Sequence, residues 1–302
     1  MREPAPRRCG TLALHYELLE LYPEFRKRLL ELEDFTAKRR AEMSRGRPLE
    51  FRIPVVVHVI YAADEENITD DQVKSQIDAL NEDFSGRNAD RARAPLPFRQ
   101  CAGAAPIQFH LARTAPDGTP TNGIVRVKTY RASFAPDDSA KFFESGGSAA
   151  WRSERYLNIW VCRLEKYQGY AQYPGGPANT DGVVIHFDAF GRRGSARPPF
   201  HLGRTLTHQV GHWLNLHHPW GDRLDCFTSD LVDDTPKSRL PHFGKPAFPQ
   251  SSGGNGPPGN MFMNYMDYVD DDAMCLFTAG QVQRMVSCLA SIRRGLSNGA
   301  SG

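Results

Sequence analysis

The chain has 302 residues, 40% of them hydrophobic and 24% charged, with 37 basic against 35 acidic side chains and a formal net charge of +2. That length buries a substantial core as one large domain or two smaller ones, and so small a net charge, with no basic stripe interleaved with aromatics, argues against nucleic acid as a partner. No apolar run reaches membrane-spanning length; the longest, around Val55 to Ile60, contains His58 and reads as a buried strand.

In chain order, Met1-Arg2-Glu3-Pro4-Ala5-Pro6 lacks the hydrophobic core of an export signal, so either there is none or the chain begins after it. Two helices follow, from Leu12 to Leu21 and from Glu24 to about Met43, the second with Leu29, Leu30, Leu32 and Phe35 on an apolar stripe. Pro23 separates them and suits the first turn of the second. An Arg/Gly-rich linker, Arg45-Gly46-Arg47-Pro48, sets these fifty residues apart, as a detachable prosegment or as an N-terminal packing pair. Strands are expected at Ile53 to Tyr61, Ile107 to Ala112, Leu157 to Leu164 and Val183 to Phe187. Helices are expected at Asp70 to Phe84, capped by Thr69 or Asp70, and at Arg204 to Leu216. A loop rich in Pro and Gly runs from Pro236 to Gly259, long enough to need something to tie it down. The last helix, Ala279 to about Leu296, carries Met285, Leu289 and Ile292 on one face. Strands interleaved with two long helices, followed by a loop-rich half, give an α+β protein with a cleft between two lobes.

Chemistry concentrates in Thr207-His208-Gln209-Val210-Gly211-His212-Trp213-Leu214-Asn215-Leu216-His217-His218. His208 and His212 are four apart, so on a helix both imidazoles reach one ion, as a zinc site needs. His218 is too far along for that face, so the helix must stop near Asn215, a residue type that tolerates the left-handed turn. Satisfied core histidines would explain one of the three, and poorly explain three at ligand spacing. His217 is a neighbour that trades roles with His218 if the helix ends one residue early.

In the HExxH class a glutamate after the first histidine takes a proton from the attacking water. Gln209 stands there instead; its amide has the shape and the hydrogen bonds but cannot act as a base, a loss typically worth roughly 10²- to 10⁴-fold in rate. The chain is therefore expected to bind zinc and substrate while turning over little. Either a Glu-to-Gln replacement traps an intact precursor, the favoured reading because the rest of a working site is present, or the chain is a natural pseudoenzyme.

Downstream lie Asn264-Tyr265-Met266-Asp267-Tyr268, then Asp270, Asp271 and Asp272, then Phe277-Thr278-Ala279-Gly280-Gln281. With the zinc motif, Asp233-Asp234-Thr235-Pro236 and the segment Phe51 to Tyr61, the chain resembles the pappalysin family of metzincin metallopeptidases, ulilysin-like members above all, over nearly its whole length. The resemblance implies an inhibitory prosegment over residues 1–50 and a metzincin-like catalytic domain over 51–302. The upper lobe, 51–218, would hold a mixed twisted sheet and two long helices; the lower, 219–302, the Met-turn and a terminal helix. It implies Met266 as the apolar floor under zinc and Tyr268 as a phenol aimed at the scissile carbonyl. Asp271 would lie at the base of the pocket for the residue after the scissile bond, favouring cleavage before Arg or Lys; a solvated acidic loop is the plain alternative. Gly169, Tyr170 and Ala171, continuing to Gln172, match the family's edge strand, which can add an extended peptide substrate as a further strand. Calcium on Asp230, Asp233 and Asp234 is implied as well.

Cys9 belongs to the same argument. In Arg7-Arg8-Cys9-Gly10 two cations favour the thiolate and the glycine permits close approach, although an isolated cysteine is commonly an incidental thiol. With three histidines waiting, Cys9 is expected as zinc's fourth ligand in a latent form, a cysteine switch in which the prosegment inhibits its own enzyme. Cutting in the linker, where Lys38, Arg39, Arg40, Arg45 and Arg47 offer basic sites, would release it, an event a basic-preferring enzyme can perform on itself. Cys101, Cys162, Cys226, Cys275 and Cys288 remain, an odd number. Lys245, Ala273, Ser251 and Ser252 stand at or near positions where the family carries cysteines, leaving Cys226 without its usual partner and an oxidising compartment in doubt. The expectations are a secreted, monomeric zinc endopeptidase precursor, or a zinc-binding pseudoprotease that captures peptides uncut. A purely structural zinc domain would instead keep its coordination closed by protein ligands.

Overall fold

The computed structural model describes residues 6–42, 50–221, 229–252 and 254–296. Cys226, the linker Arg45 to Pro48 and the first five residues lie outside them. Two helices lead the chain: α1 (Thr11–Leu21) and α2 (Pro23–Glu42), the latter starting on Pro23, whose missing N–H costs nothing in a first turn. The apolar stripe of α2 differs from expectation. Phe25 and Leu32 are buried, whereas Leu30 is 66% exposed, because the face that packs follows the i, i+4, i+7 series from Phe25 through Leu29 to Leu32.

β1 (Phe51–Tyr61) is a Val/Ile run buried on both sides and forms the spine of a six-stranded sheet. It pairs in parallel with β2 (Ile107–Leu111) along its first half, with β3 (Ile124–Lys128) along its second, and with β4 (Leu157–Cys162) on its other edge. β5 (Gly169–Ala171) forms the far edge, antiparallel to β6 (Val183–His186), giving the order β2-β1-β4-β6-β5. β3 was not expected from sequence; five residues with two cations, partly exposed, carry little apolar signal.

One sheet face, through Val55, Val57 and Val59, packs on α3 (Asp70–Phe84) and α5 (Arg204–Trp213). Thr69 caps α3 by accepting from the Gln72 amide at 3.2 Å, as its side chain predicts. A short helix, α4 (Leu96–Gln100), buries Phe98. The same apolar cluster runs on through residues 261–277 into α6 (Ala279–Ala290), so the expected lobes share one core. The other sheet face buries Trp160 and Tyr170 against Leu14, Leu18 and Phe25 of the two leading helices.

Helix ends depart from the sequence reading. α5 stops at Trp213 rather than Leu216: Asn215 turns left-handed (φ 73°) and the Leu216 amide reaches back to the Gly211 carbonyl at 2.9 Å. α6 stops at Ala290, which leaves Ile292 38% exposed instead of on the packed face. The described residues from Pro236 to Gly259 form no regular element. They are held by His242, whose amide and Nδ1 both bond the buried Asp267 carboxylate at 2.8 Å.

Candidate metal centre

α5 puts His208 and His212 on one face, and the Asn215 turn swings His218 back to meet them. Nδ1 of His208 donates to the Tyr265 carbonyl at 2.8 Å and Nδ1 of His212 to the Leu216 carbonyl at 2.7 Å, which leaves Nε2 of each ring as an acceptor. Nε2 of His212 lies 3.1 Å from Nε2 of both His208 and His218. All three rings are buried. Burial first, then the neighbouring imidazoles, drive the pKa of His208 and His218 well below the usual value, so both are neutral. Unprotonated acceptors crowded together call for a cation. Three nitrogens at about 2.1 Å from a tetrahedral ion would stand about 3.4 Å apart, so the set fits zinc. His217 turns away and stacks on Tyr173 at 5.1 Å, while His218 lies flat on Trp220 at 4.5 Å.

A fourth atom able to ligate a metal comes from the N-terminal segment. The Cys9 sulfur and the three imidazoles place their ligand atoms within 4.8 Å of one another, the one such cluster among the described residues. Arg8 to Gly10 run alongside β5: the Gly10 amide donates to the Gly169 carbonyl at 3.0 Å, and the Gln168 amide to the Arg8 carbonyl at 3.2 Å. A side chain at Gly10 would start 3.2 Å from Tyr170 and Pro136, so only glycine passes freely. The edge expected to take a substrate strand is therefore covered, and Gly169, Tyr170 and Ala171 are buried, with the Tyr170 ring in the core behind. The expected help from flanking arginines is also corrected. Burial pushes the Cys9 thiol up, and Arg7 points elsewhere, so a cation among the histidines is what would hold the thiolate.

Thr11, at the start of α1, ties this segment to Gln209. Its hydroxyl accepts from the Ala171 amide at 3.0 Å and donates to Gln209 Oε1 at 2.9 Å, while Gln209 Nε2 lies 3.3 Å from the Cys9 sulfur. Tyr268 stands over the site with its ring 5.0 Å from His218 and 5.8 Å from His208. Burial above all, then Cys9, hold its phenol protonated. Met266 is buried beneath α5, its sulfur where a side chain at Gly211 would have to start.

Asp271 is buried and occupied. Its Oδ1 pairs with Arg7 Nη2 at 2.5 Å, and its Oδ2 accepts the Leu202 amide at 2.7 Å and the Arg204 amide at 3.3 Å, at the start of α5. The Arg7 guanidinium is completed by Thr205 Oγ1 at 2.9 Å, the Val269 carbonyl at 3.2 Å and the Phe200 ring beneath it at 4.6 Å. A solvated acidic loop does not describe this pocket.

Farther off, Glu33 of α2 accepts from Asn215 Nδ2 at 2.8 Å and pairs with both terminal nitrogens of Arg284 at 2.7 and 2.8 Å. Sequence reasoning missed Arg7, Thr11 and Glu33. Only Arg7 had a signal, a cation in the segment expected to lie across an acidic pocket. Among the described residues no metal-ligand cluster includes Asp230, Asp233 or Asp234, although Asp234 Oδ1 is buried without a hydrogen-bond partner and burial raises Asp230 to about 7. None of Cys9, Cys101, Cys162, Cys275 and Cys288 is bridged.

A family model described as pregnancy-associated plasma protein-A matches residues 145–290. A mutant of promirolysin from Tannerella forsythia is 44% identical, with 96% of this chain and 97% of that one covered at a TM-score of 0.88. Mature mirolysin from the same organism, solved with a cleaved peptide, is 49% identical over 83% of this chain and 97% of that one, at a TM-score of 0.82. An extracellular metalloprotease of Trichophyton verrucosum is 26% identical over 96% of this chain and 93% of its own length.

Proposed function

The chain belongs to the pappalysin family of metzincin metallopeptidases, and from that premise we propose that it is a zinc endopeptidase precursor held latent by residues 1–50 and disabled by Gln209. The observation that carries the reading is the meeting of Cys9 with His208, His212 and His218, on a segment that also fills the Asp271 pocket with Arg7. Zinc bound there would polarise the scissile carbonyl and acidify the attacking water. The chain's own residues do the rest. The carbonyl of Gly169 and the amide of Ala171 receive an extended peptide as a further strand. Tyr268, protonated, donates to the oxygen that gains charge. Gln209 can orient a water but cannot take its proton.

Arg7 precedes Cys9, so the prosegment carries its basic side chain on the N-terminal side of the metal. A substrate with its basic residue after the scissile bond must run the other way along β5, with a carbonyl where the prosegment has its thiol. The prosegment thus fills the cleft without offering a bond to cut. Arginine is preferred to lysine, because the planar fork meets Asp271, Thr205 and the Val269 carbonyl together and lies on Phe200, contacts a single ammonium cannot all make. The chain freed of residues 1–50 and carrying Gln209→Glu should cleave peptides before Arg, in a zinc-dependent way. Continued silence with zinc bound would favour the second reading, a pseudoprotease that captures peptides, which Gln209 itself recommends.

The names of its relatives, extracellular metalloproteases, support secretion. Calcium near Asp230, Asp233 and Asp234 has the partnerless Asp234 Oδ1 as its support; a melting temperature that calcium fails to raise would remove it.

A further inference from the structure

We infer that Gln209 is a latch as well as a missing base: its side-chain amide locks Cys9 onto the metal site more firmly than a glutamate would. The inference rests on the reading of Cys9 as a zinc ligand and concerns how that ligand is retained. Thr11 accepts the Ala171 amide on its hydroxyl oxygen and lies 3.1 Å from the Cys9 sulfur, but its single proton has its shorter contact, 2.9 Å, with Gln209 Oε1. That bond fixes which way the amide faces. Oε1 turns to Thr11, and Nε2, a donor, turns to the Cys9 sulfur at 3.3 Å.

A sulfur that ligates a metal is a thiolate and can only accept. The amide meets both demands at once, accepting from Thr11 and donating to sulfur. A carboxylate in the same place satisfies Thr11 with one oxygen and turns the other, without a proton, toward a sulfur without a proton. Two buried acceptors of like charge oppose each other there. One side chain therefore removes the base and strengthens the plug.

The test follows the alkylation of Cys9 by iodoacetamide in the zinc-loaded full chain, read by mass on the Cys9 peptide so that other thiols do not interfere. Alkylation requires the latch to open. Gln209→Met, which keeps the bulk and loses the donor, should speed it by roughly ten- to a hundred-fold, the worth of a hydrogen bond to a charged group. Gln209→Glu, counted on uncleaved chains only, should be faster still. Equal rates for Gln and Met, or a Glu variant slower than Met, overturn the inference. If zinc fails to slow alkylation of the unaltered chain, the reading of Cys9 as a ligand falls instead.

Cobalt loading checks the fold of each variant: its tetrahedral bands should persist while the thiolate charge-transfer band weakens. Should Gln209→Met lose the tetrahedral bands, Gln209→Leu, a second side chain of similar bulk without a donor, decides in its place: faster alkylation supports the latch and an unchanged rate overturns it.

Discussion

The Asp271 carboxylate is divided between Arg7 on one oxygen and the Leu202 and Arg204 amides leading into α5 on the other. Removing Arg7 leaves a fully buried charge half-paired, a change that typically costs about 3–5 kcal/mol. Arg7→Ala should therefore loosen the prosegment, measured as faster proteolysis of residues 6–42, and Arg7→Lys should recover only part of the loss. Tyr268 makes a separate prediction. In the chain freed of its prosegment and restored with Gln209→Glu, Tyr268→Phe should lower kcat by roughly 10²- to 10³-fold with little change in KM, because its donor acts on charge that develops during the reaction. An equal loss in KM would reassign it to substrate binding. At this scale the three histidines were legible from their spacing, whereas Asp271 was singled out only through the family resemblance. Thr11 and Glu33 were not, since one hydroxyl or one carboxylate on a charged helix carries no pattern.

At the scale of elements, α2 is pinned to the metal helix by Glu33, which reaches Arg284 of α6 and Asn215 in the turn after α5. Burial alone would raise the Glu33 pKa; the Arg284 guanidinium outweighs it, and the net shift is downward from 4.5. The contact therefore stabilises above the carboxylate's ordinary titration and is lost as pH falls through the lowered value. Full-chain melting temperatures should show Glu33→Gln destabilised at neutral pH and equal to the parent in strong acid. A gap that widened on acidification would refute this. α5 makes a steric prediction: in Gly211→Ala the new methyl would begin 2.5 Å from the Met266 sulfur, so Met266 must move and zinc affinity should fall. The boundaries of α3 were readable to the residue from Thr69 and its apolar period. The end of α5 was readable as a turn at Asn215 but not as a stop at Trp213, because the left-handed residue lies beyond the last helical one.

Taken whole, the molecule does not carry residues 6–42, proposed as part of a prosegment, as a loose arm. Leu14, Leu18 and Phe25 are buried in one cluster with Trp160 and Tyr170, and each such side chain is worth about 1.5–3 kcal/mol when fully buried. Cutting the linker alone should leave residues 6–42 attached, so a nicked chain should still elute as one species at neutral pH; immediate separation would show that the shared core counts for little. The α+β order was legible because Val-rich strands and amphipathic helices differ in period, whereas the covering of β5 was not, since pairing between residues 160 apart leaves no local trace. Latency through Cys9 requires that three imidazoles and one thiolate share a single zinc ion. X-ray absorption at the zinc edge of the full chain reports that shell: three nitrogens at about 2.0–2.1 Å and one sulfur at about 2.3 Å are expected, with the sulfur lost in Cys9→Ser, and a shell of nitrogen and oxygen alone in the unaltered chain would refute the shared site.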